Sequence, residues 1–159
     1  MTGAIEIRPA TADDVLFMED TIWEALKVFP NLLHHMGIEA AKKQNQEYWQ
    51  TWLNNSDPAF IATDSCGKRL GVLTLRPNYY DIPGSSWRIG LSIGAEFRRQ
   101  GIGKKLLEFA AQYGQKQRAS YLNLFVDPSN AAAISLYKKM KFKVVGNKNS
   151  LIEMRRDIS

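Results

Sequence analysis

An apolar stretch ending at Ile93 runs into Gly94-Ala95-Glu96-Phe97-Arg98-Arg99-Gln100-Gly101-Ile102-Gly103-Lys104-Lys105, and an amphipathic helical pattern follows at once. A chain that passes from strand to helix through this segment presents a helix start at the end of a sheet. The glycines let the backbone approach a guest closely, and the first N–H groups of the helix lack intrahelical partners. The helix dipole adds partial positive charge there. Arg98, Arg99, Lys104 and Lys105 add full charges. The segment reads as an anion cradle suited to a small molecule carrying a diphosphate.

Other phosphate signatures do not fit. Gly101-x-Gly103 lacks the third glycine of a dinucleotide fingerprint, since Leu106 stands there, and no Gly-x-x-x-x-Gly-Lys-Ser/Thr occurs. Taken alone, the segment is equally well a basic loop capping a helix.

The rest of the chain interleaves strand and helix patterns without linker, repeat or low-complexity segment. Ile5 to Arg8 alternates apolar and polar residues. Thr11-Ala12-Asp13-Asp14 reads as a capping-box start for a helix whose apolar face is Val15, Met18, Ile22, Leu26 and Phe29, closed by Pro30. A second helix uses Ile38, Ala41, Asn45, Tyr48, Trp49, Trp52 and Leu53. A hairpin of Phe60–Thr63 and Leu70–Leu75 turns through Gly67, and Trp87–Ile93 forms the next strand. After the glycine turn come a helix with Ile102, Leu106, Ala110 and Tyr113 on one face, the strand Tyr121–Val126, and a helix from Ser129 to about Met140. Two strands, Phe142–Val145 and Leu151–Arg155, end the chain. The expected fold is α/β (α+β), a mixed, mainly antiparallel sheet of about seven strands flanked by about four helices.

A length of 159 residues suits one domain, residues 1–159, able to bury a proper core. No apolar run approaches a membrane span, and the amino terminus lacks a signal-peptide pattern. The single Cys66 cannot form an intrachain disulfide, which fits the cytoplasm. A net charge of +5 favours anionic partners without implying nucleic acid.

A second motif makes the reading specific. Arg98-x-x-Gly101-x-Gly103 is followed by Asn130-x-x-Ala133-Ile134-x-x-Tyr137 and then Phe142. Together, and with the element order along the whole chain, these resemble the GNAT superfamily of acetyl-CoA-dependent N-acetyltransferases. The resemblance implies that backbone N–H groups of Arg98, Arg99, Gln100, Gly101, Ile102, Gly103 and Lys104 hold the coenzyme diphosphate. It implies that the backbone of Leu91, Ser92 and Ile93 pairs with the pantetheine arm in a strand that splays from its neighbour. Asn130 matches the side chain that touches the coenzyme, and Tyr137 matches the general acid. The implied reaction moves acetyl from acetyl-CoA to a primary amine within one ternary complex, without a metal.

The chemistry is consistent with those residues. A backbone N–H aimed at the tetrahedral oxyanion stabilises it, and a protonated tyrosine can give its proton to the departing sulfur. A bulky residue at Gly103 is expected to intrude on the diphosphate. Each residue also has a plainer reading: Tyr137 as an amphipathic core tyrosine, Asn130 as a helix cap, and the four cations as a solvated face. His34 and His35 read as loop residues, without the partners a metal site needs.

Two departures bear on the acceptor. Related enzymes place a glutamate base where this chain has Phe125 or Trp87, so water or a carboxylate from Glu19, Glu24 or Asp81 is left to take the amine proton. Lys141 replaces the glycine usual before Phe142, which bears on helix termination. Trp23, Phe29, Trp49, Trp52, Tyr79 and Tyr80 supply aromatic surface for an acceptor with an apolar portion, and Trp87 is a further candidate. The expected partner is a small-molecule or peptide amine, with a homodimer left open and neither nucleic acid nor membrane expected. Two other readings stay open: a coenzyme-binding regulatory module with little turnover, and a basic nucleic-acid-binding domain.

Overall fold

The computed structural model describes residues 3–33, 36–55, 57–78, 81–82 and 84–159. His34, His35, Tyr79 and Tyr80 lie outside them. In chain order the elements are β1 (Glu6–Pro9), α1 (Val15–Leu26), α2 (Ile38–Thr51), β2 (Ala59–Thr63), β3 (Arg69–Pro77), β4 (Ser86–Ile93), α3 (Ile102–Lys116), β5 (Tyr121–Val126), α4 (Ala131–Lys139), β6 (Lys143–Lys148) and β7 (Leu151–Asp157).

The seven strands form one sheet in the order β1-β2-β3-β4-β5-β7-β6. Every neighbouring pair is antiparallel except β4 and β5. That parallel pair follows from the intervening α3, a crossover that returns the chain to the same edge of the sheet.

Apolar residues on both faces divide the core into two layers. On one face Leu106, Leu107 and Ala110 of α3 pack with Leu73, Leu122, Leu124 and Met154. On the other, Met18 of α1 and Trp49 of α2 pack with Ile61 and Val72. Strand alternation therefore sends Trp87 towards α3, where it meets Tyr113 edge-on at 6.0 Å. It is packing rather than pocket lining.

Several boundaries differ from expectation, β6 for example running Lys143–Lys148, and two helix ends do so for local reasons. Helix α1 stops at Leu26, short of Phe29, and Pro30 disfavours helical geometry at the residue before it, so the helix does not resume there. Helix α4 starts at Ala131 rather than Ser129, because the Asp127 side chain accepts from the Ser129 N–H at 2.9 Å and hydroxyl at 2.7 Å, fixing a turn first.

Asp14 ties the first turn of the chain to the sheet. It is fully buried, accepts from both terminal nitrogens of Arg8 at 2.8 and 2.9 Å and from Arg69 Nε at 2.7 Å, and caps the Thr11 N–H at 2.7 Å. Those bonds, led by Arg8, hold its carboxyl well below the usual carboxylate range.

Candidate active site

Strands β4 and β5 pair over only three residues, Ser86–Tyr121, Trp87–Leu122 and Arg88–Asn123. Beyond Arg88, β4 continues to Ile93 against β3 alone, with Leu91 opposite Leu73 and Ser92 opposite Val72. The sheet opens there into a V. Gly94 donates its N–H to Leu70 O at 2.9 Å. Antiparallel alternation carries that bonding to Ser92–Val72 and turns the backbone of Leu91 and Ile93 towards the gap. The Ser92 backbone, expected to serve a ligand, is thus committed to Val72.

A cavity of about 510 Å³ occupies the V. Ile89, Gly90, Leu91 and Ser92 form one wall, Leu124 to Asp127 the other, and Asn130 and Tyr137 close one end. Phe29, Tyr48 and Trp49 line the side formed by the first two helices.

The glycine turn lies past the end of β4. Gly101 sits at φ +80° as the residue before α3, with open space where a side chain would project. Arg99 also has positive φ, 64°. Lys105 makes the first intrahelical bond, to Gly101 O, so the N–H groups of Ile102, Gly103 and Lys104 have no acceptor within the helix. Arg98, Arg99, Gln100, Lys104 and Lys105 are exposed, and none of the cations has a carboxylate within ion-pair distance among the described residues.

Gly103 keeps its N–H at the open helix start, while the space for a side chain faces the other way. A Cβ there would lie 2.9 Å from Leu136 Cδ2 and 3.7 Å from Leu91 Cδ2. It faces the packing between α3, α4 and β4, so a larger residue collides with Leu136 rather than with an anion in the turn.

Helix α4 brings Asn130 and Tyr137 to the cavity. Asn130 is the N-cap, its Oδ1 accepting from the Ala133 N–H at 3.2 Å. Tyr137 lies two turns on. It is only 9% exposed, and burial pushes its hydroxyl up to about 12. It therefore stays protonated throughout the neutral and mildly alkaline range.

No acidic side chain named as a candidate base reaches the cavity wall. Glu24 is exposed and pairs with Lys27 at 2.9 Å. Asp81 accepts from Ser86 and Tyr121 hydroxyls, which hold its carboxyl below the usual value. It belongs to a polar network at the closed end of the V, where Asn78 bridges Ser86 at 3.0 Å and Asn123 at 2.9 Å. Glu19 is absent from the lining, while its carbonyl accepts from Asn45 at 3.1 Å. Among the described residues the one carboxylate on the wall is Asp127. Burial works to raise it, but bonds from Ser129 and Asn31 outweigh burial and leave it below the usual carboxylate value. Phe125 lines the wall where a glutamate base was noted as missing. Sequence reasoning did not single out Asp127 or Arg76, because neither sits in a motif; only the strand register puts them at this cavity.

Comparison with known proteins agrees with this architecture. Residues 20–142 match the model of the Acetyltransferase (GNAT) family. The chain is 28% identical over 102 residues to the N-terminal acetyltransferase B complex catalytic subunit NAA20 of Arabidopsis thaliana, a match covering 62% of this chain and 58% of that protein. Matches to the curated relatives span about half of their length. Among solved structures it resembles a GCN5-related N-acetyltransferase from Kribbella flavida, with a TM-score of 0.78 at 18% identity over 97% of this chain and 98% of that one. It also resembles the PaiA N-acetyltransferase of Thermoplasma acidophilum in complex with coenzyme A, with a TM-score of 0.75 at 20% identity over 98% and 99% of the two chains. The family model covers most of the chain, and the chain belongs to the Acetyltransferase (GNAT) family.

Proposed function

We propose that this chain is an N-acetyltransferase that moves an acetyl group from acetyl-CoA to a primary amine within a ternary complex. The observation that carries the reading is the V between β4 and β5, with free backbone at Leu91 and Ile93 on one wall and the buried, protonated Tyr137 at its end. Acetyl-CoA supplies an activated thioester. The turn from Arg98 to Lys104 offers unpaired N–H groups and cations to its diphosphate, and the residues present suit that group. Leu91 and Ile93 offer backbone groups to an extended arm lying in the gap, as a further strand would.

Tyr137 is the proposed general acid. Burial keeps its hydroxyl protonated at neutral pH, so it holds its proton until a thiolate forms beside it. Asn130 is engaged as a helix cap through Oδ1, which leaves its amide nitrogen for the coenzyme. Asp127 is a weak base because its oxygens already accept bonds, so the amine proton leaves through water. We place the protein in the cytoplasm on its one cysteine, Cys66, which is free and exposed.

The test is acetyl-CoA-dependent release of CoA across amino acids, amino sugars, polyamines, arylalkylamines and short peptides. A no-amine control is needed because Cys66 is exposed. Turnover with one amine class supports the reading. Tight CoA binding with no turnover across the panel favours a coenzyme-binding module instead.

A further inference from the structure

Arg76 of β3 and Arg88 of β4 are directly opposite each other in the antiparallel register. Alternation puts both side chains on the sheet face that carries α1 and α2. Two like charges in directly opposed positions destabilise a strand pair. Neither has a carboxylate within 4.0 Å among the described residues to offset that cost.

Each guanidinium is instead held against an aromatic ring of a cavity wall. Arg76 lies over Tyr48 at 4.2 Å, and Arg88 lies over Phe125 at 4.7 Å. Arg76 lines the first cavity, whereas Arg88 lines a second of about 300 Å³, which shares Leu26, Leu32, Ile89 and Phe125 with the first. Lys148 lines this second cavity from the far side. It is fixed there by the β6–β7 turn, where Asn149 and Ser150 have φ of 51° and 64°, the geometry of a tight two-residue hairpin.

Two carboxylates flank the aromatic partners, and neither lies within ion-pair distance of Arg76 or Arg88. Glu153, opposite Phe125 across the β5–β7 pair, is engaged by Asn123 at 3.2 Å and Arg155 at 3.8 Å. Asp57 lies 3.5 Å from the Tyr48 hydroxyl. The two adjoining cavities thus carry three cations, Arg76 in the first and Arg88 and Lys148 in the second, around the apolar residues they share.

We propose that Arg76, Arg88 and Lys148 form a subsite for an anionic group on the acceptor, so that the substrate is an amine bearing both a carboxylate and an apolar side chain. This rests on the N-acetyltransferase reading for the word acceptor, though the subsite can be detected without turnover. Two guanidinium forks with no carboxylate partner can receive a carboxylate in bidentate fashion, and the strand-pair repulsion falls when they do. Gly90, two residues along β4 from Arg88, lines the first cavity beside Thr74, whose hydroxyl fills the space a side chain at Gly90 would take. Three residue steps separate Arg88 from Leu91, about 10 Å at strand rise, and the arginine side chain shortens the gap that one small molecule or dipeptide has to bridge.

The test measures binding of product analogues to the CoA-saturated protein by calorimetry, which removes differences in amine basicity. N-acetyl-L-phenylalanine is compared with N-acetyl-L-phenylalaninamide, and an N-acetyl-Phe-Glu amide with its Phe-Gln counterpart. The acid of at least one pair binds about tenfold more tightly than its neutral partner, and the preference shrinks as salt is added. The pair showing the preference tells whether the anion comes from a free amino acid or from a peptide side chain. Arg88→Gln and Arg76→Gln abolish the preference, leave CoA affinity unchanged, and do not lower the unfolding midpoint. Equal binding of acid and neutral forms in both pairs, or no binding of any, overturns the proposal. So does retention of the preference in both variants. An intact acid preference without turnover on any amine would refute the transferase reading and leave the subsite standing.

Discussion

Phe142 closes the end of α4 on Tyr137: its N–H donates to the Tyr137 carbonyl at 2.9 Å, and the two rings lie 6.0 Å apart at 61°. The Lys141 N–H donates to Lys138 O at 3.1 Å with Lys141 at φ 72°. Together these make a complete C-terminal helix cap with its apolar contact. The terminal aromatic of the motif thus fixes the position of the tyrosine proposed to supply the proton.

Replacing Tyr137 by Phe removes one hydroxyl and keeps the ring contact with Phe142. Turnover falls about 100-fold, while CoA affinity and the unfolding midpoint stay close to wild type. Steady-state kinetics with calorimetry of CoA binding checks this. In the wild type, kcat/KM rises from pH 7 towards pH 10 as the free amine becomes available, with no descending limb there. Tyr137 deprotonates only near 12, because burial raises it.

Replacing Lys141 by Gly relieves a left-handed conformation that a side chain disfavours. Stability increases by about 1 kcal/mol in urea titration, and activity is unchanged.

Replacing Gly103 by Val forces a side chain against Leu136. The variant loses about 1–3 kcal/mol of stability. A Leu136→Ala background makes room and cancels much of that loss, which a double-mutant cycle in urea reads directly. Additive losses would place the collision elsewhere.

Replacing Asp14 by Asn removes a buried charge held by Arg8 and Arg69. The loss is about 2–3 kcal/mol at neutral pH. The folded-state carboxyl titrates below its unfolded value, so the stabilisation is complete above about pH 4 and fades as pH falls below it. The stability difference between wild type and the Asn variant therefore narrows on acidification.

Much of the fold was legible because it is written locally. Amphipathic spacing gives α3, alternation gives the strands, and Asn130, Gly101 and Pro30 mark turns and caps by their own chemistry. What was hidden depends on register between distant segments. The opening of β4 from β5 is a property of a pairing that ends at Arg88–Asn123, and no residue announces it. Asp14 reads as an ordinary first-turn acid until Arg69, far along the chain, reaches it. Gly103 sits in a motif, yet the direction of its absent side chain is set by the packing of α4 on α3. The facing of Arg76 and Arg88 is equally invisible before strands are aligned.

The most direct measurement is mass-spectrometric quantification of acetylated amine and free CoA in one reaction, with and without the amine that gives most turnover. Equal amounts of the two products, formed only when amine is present and with no acetyl group left on the protein, are the expected result. CoA bound by the protein but no acetylated amine from any class tested, or an acetylated protein accumulating without amine, would contradict direct transfer in a ternary complex.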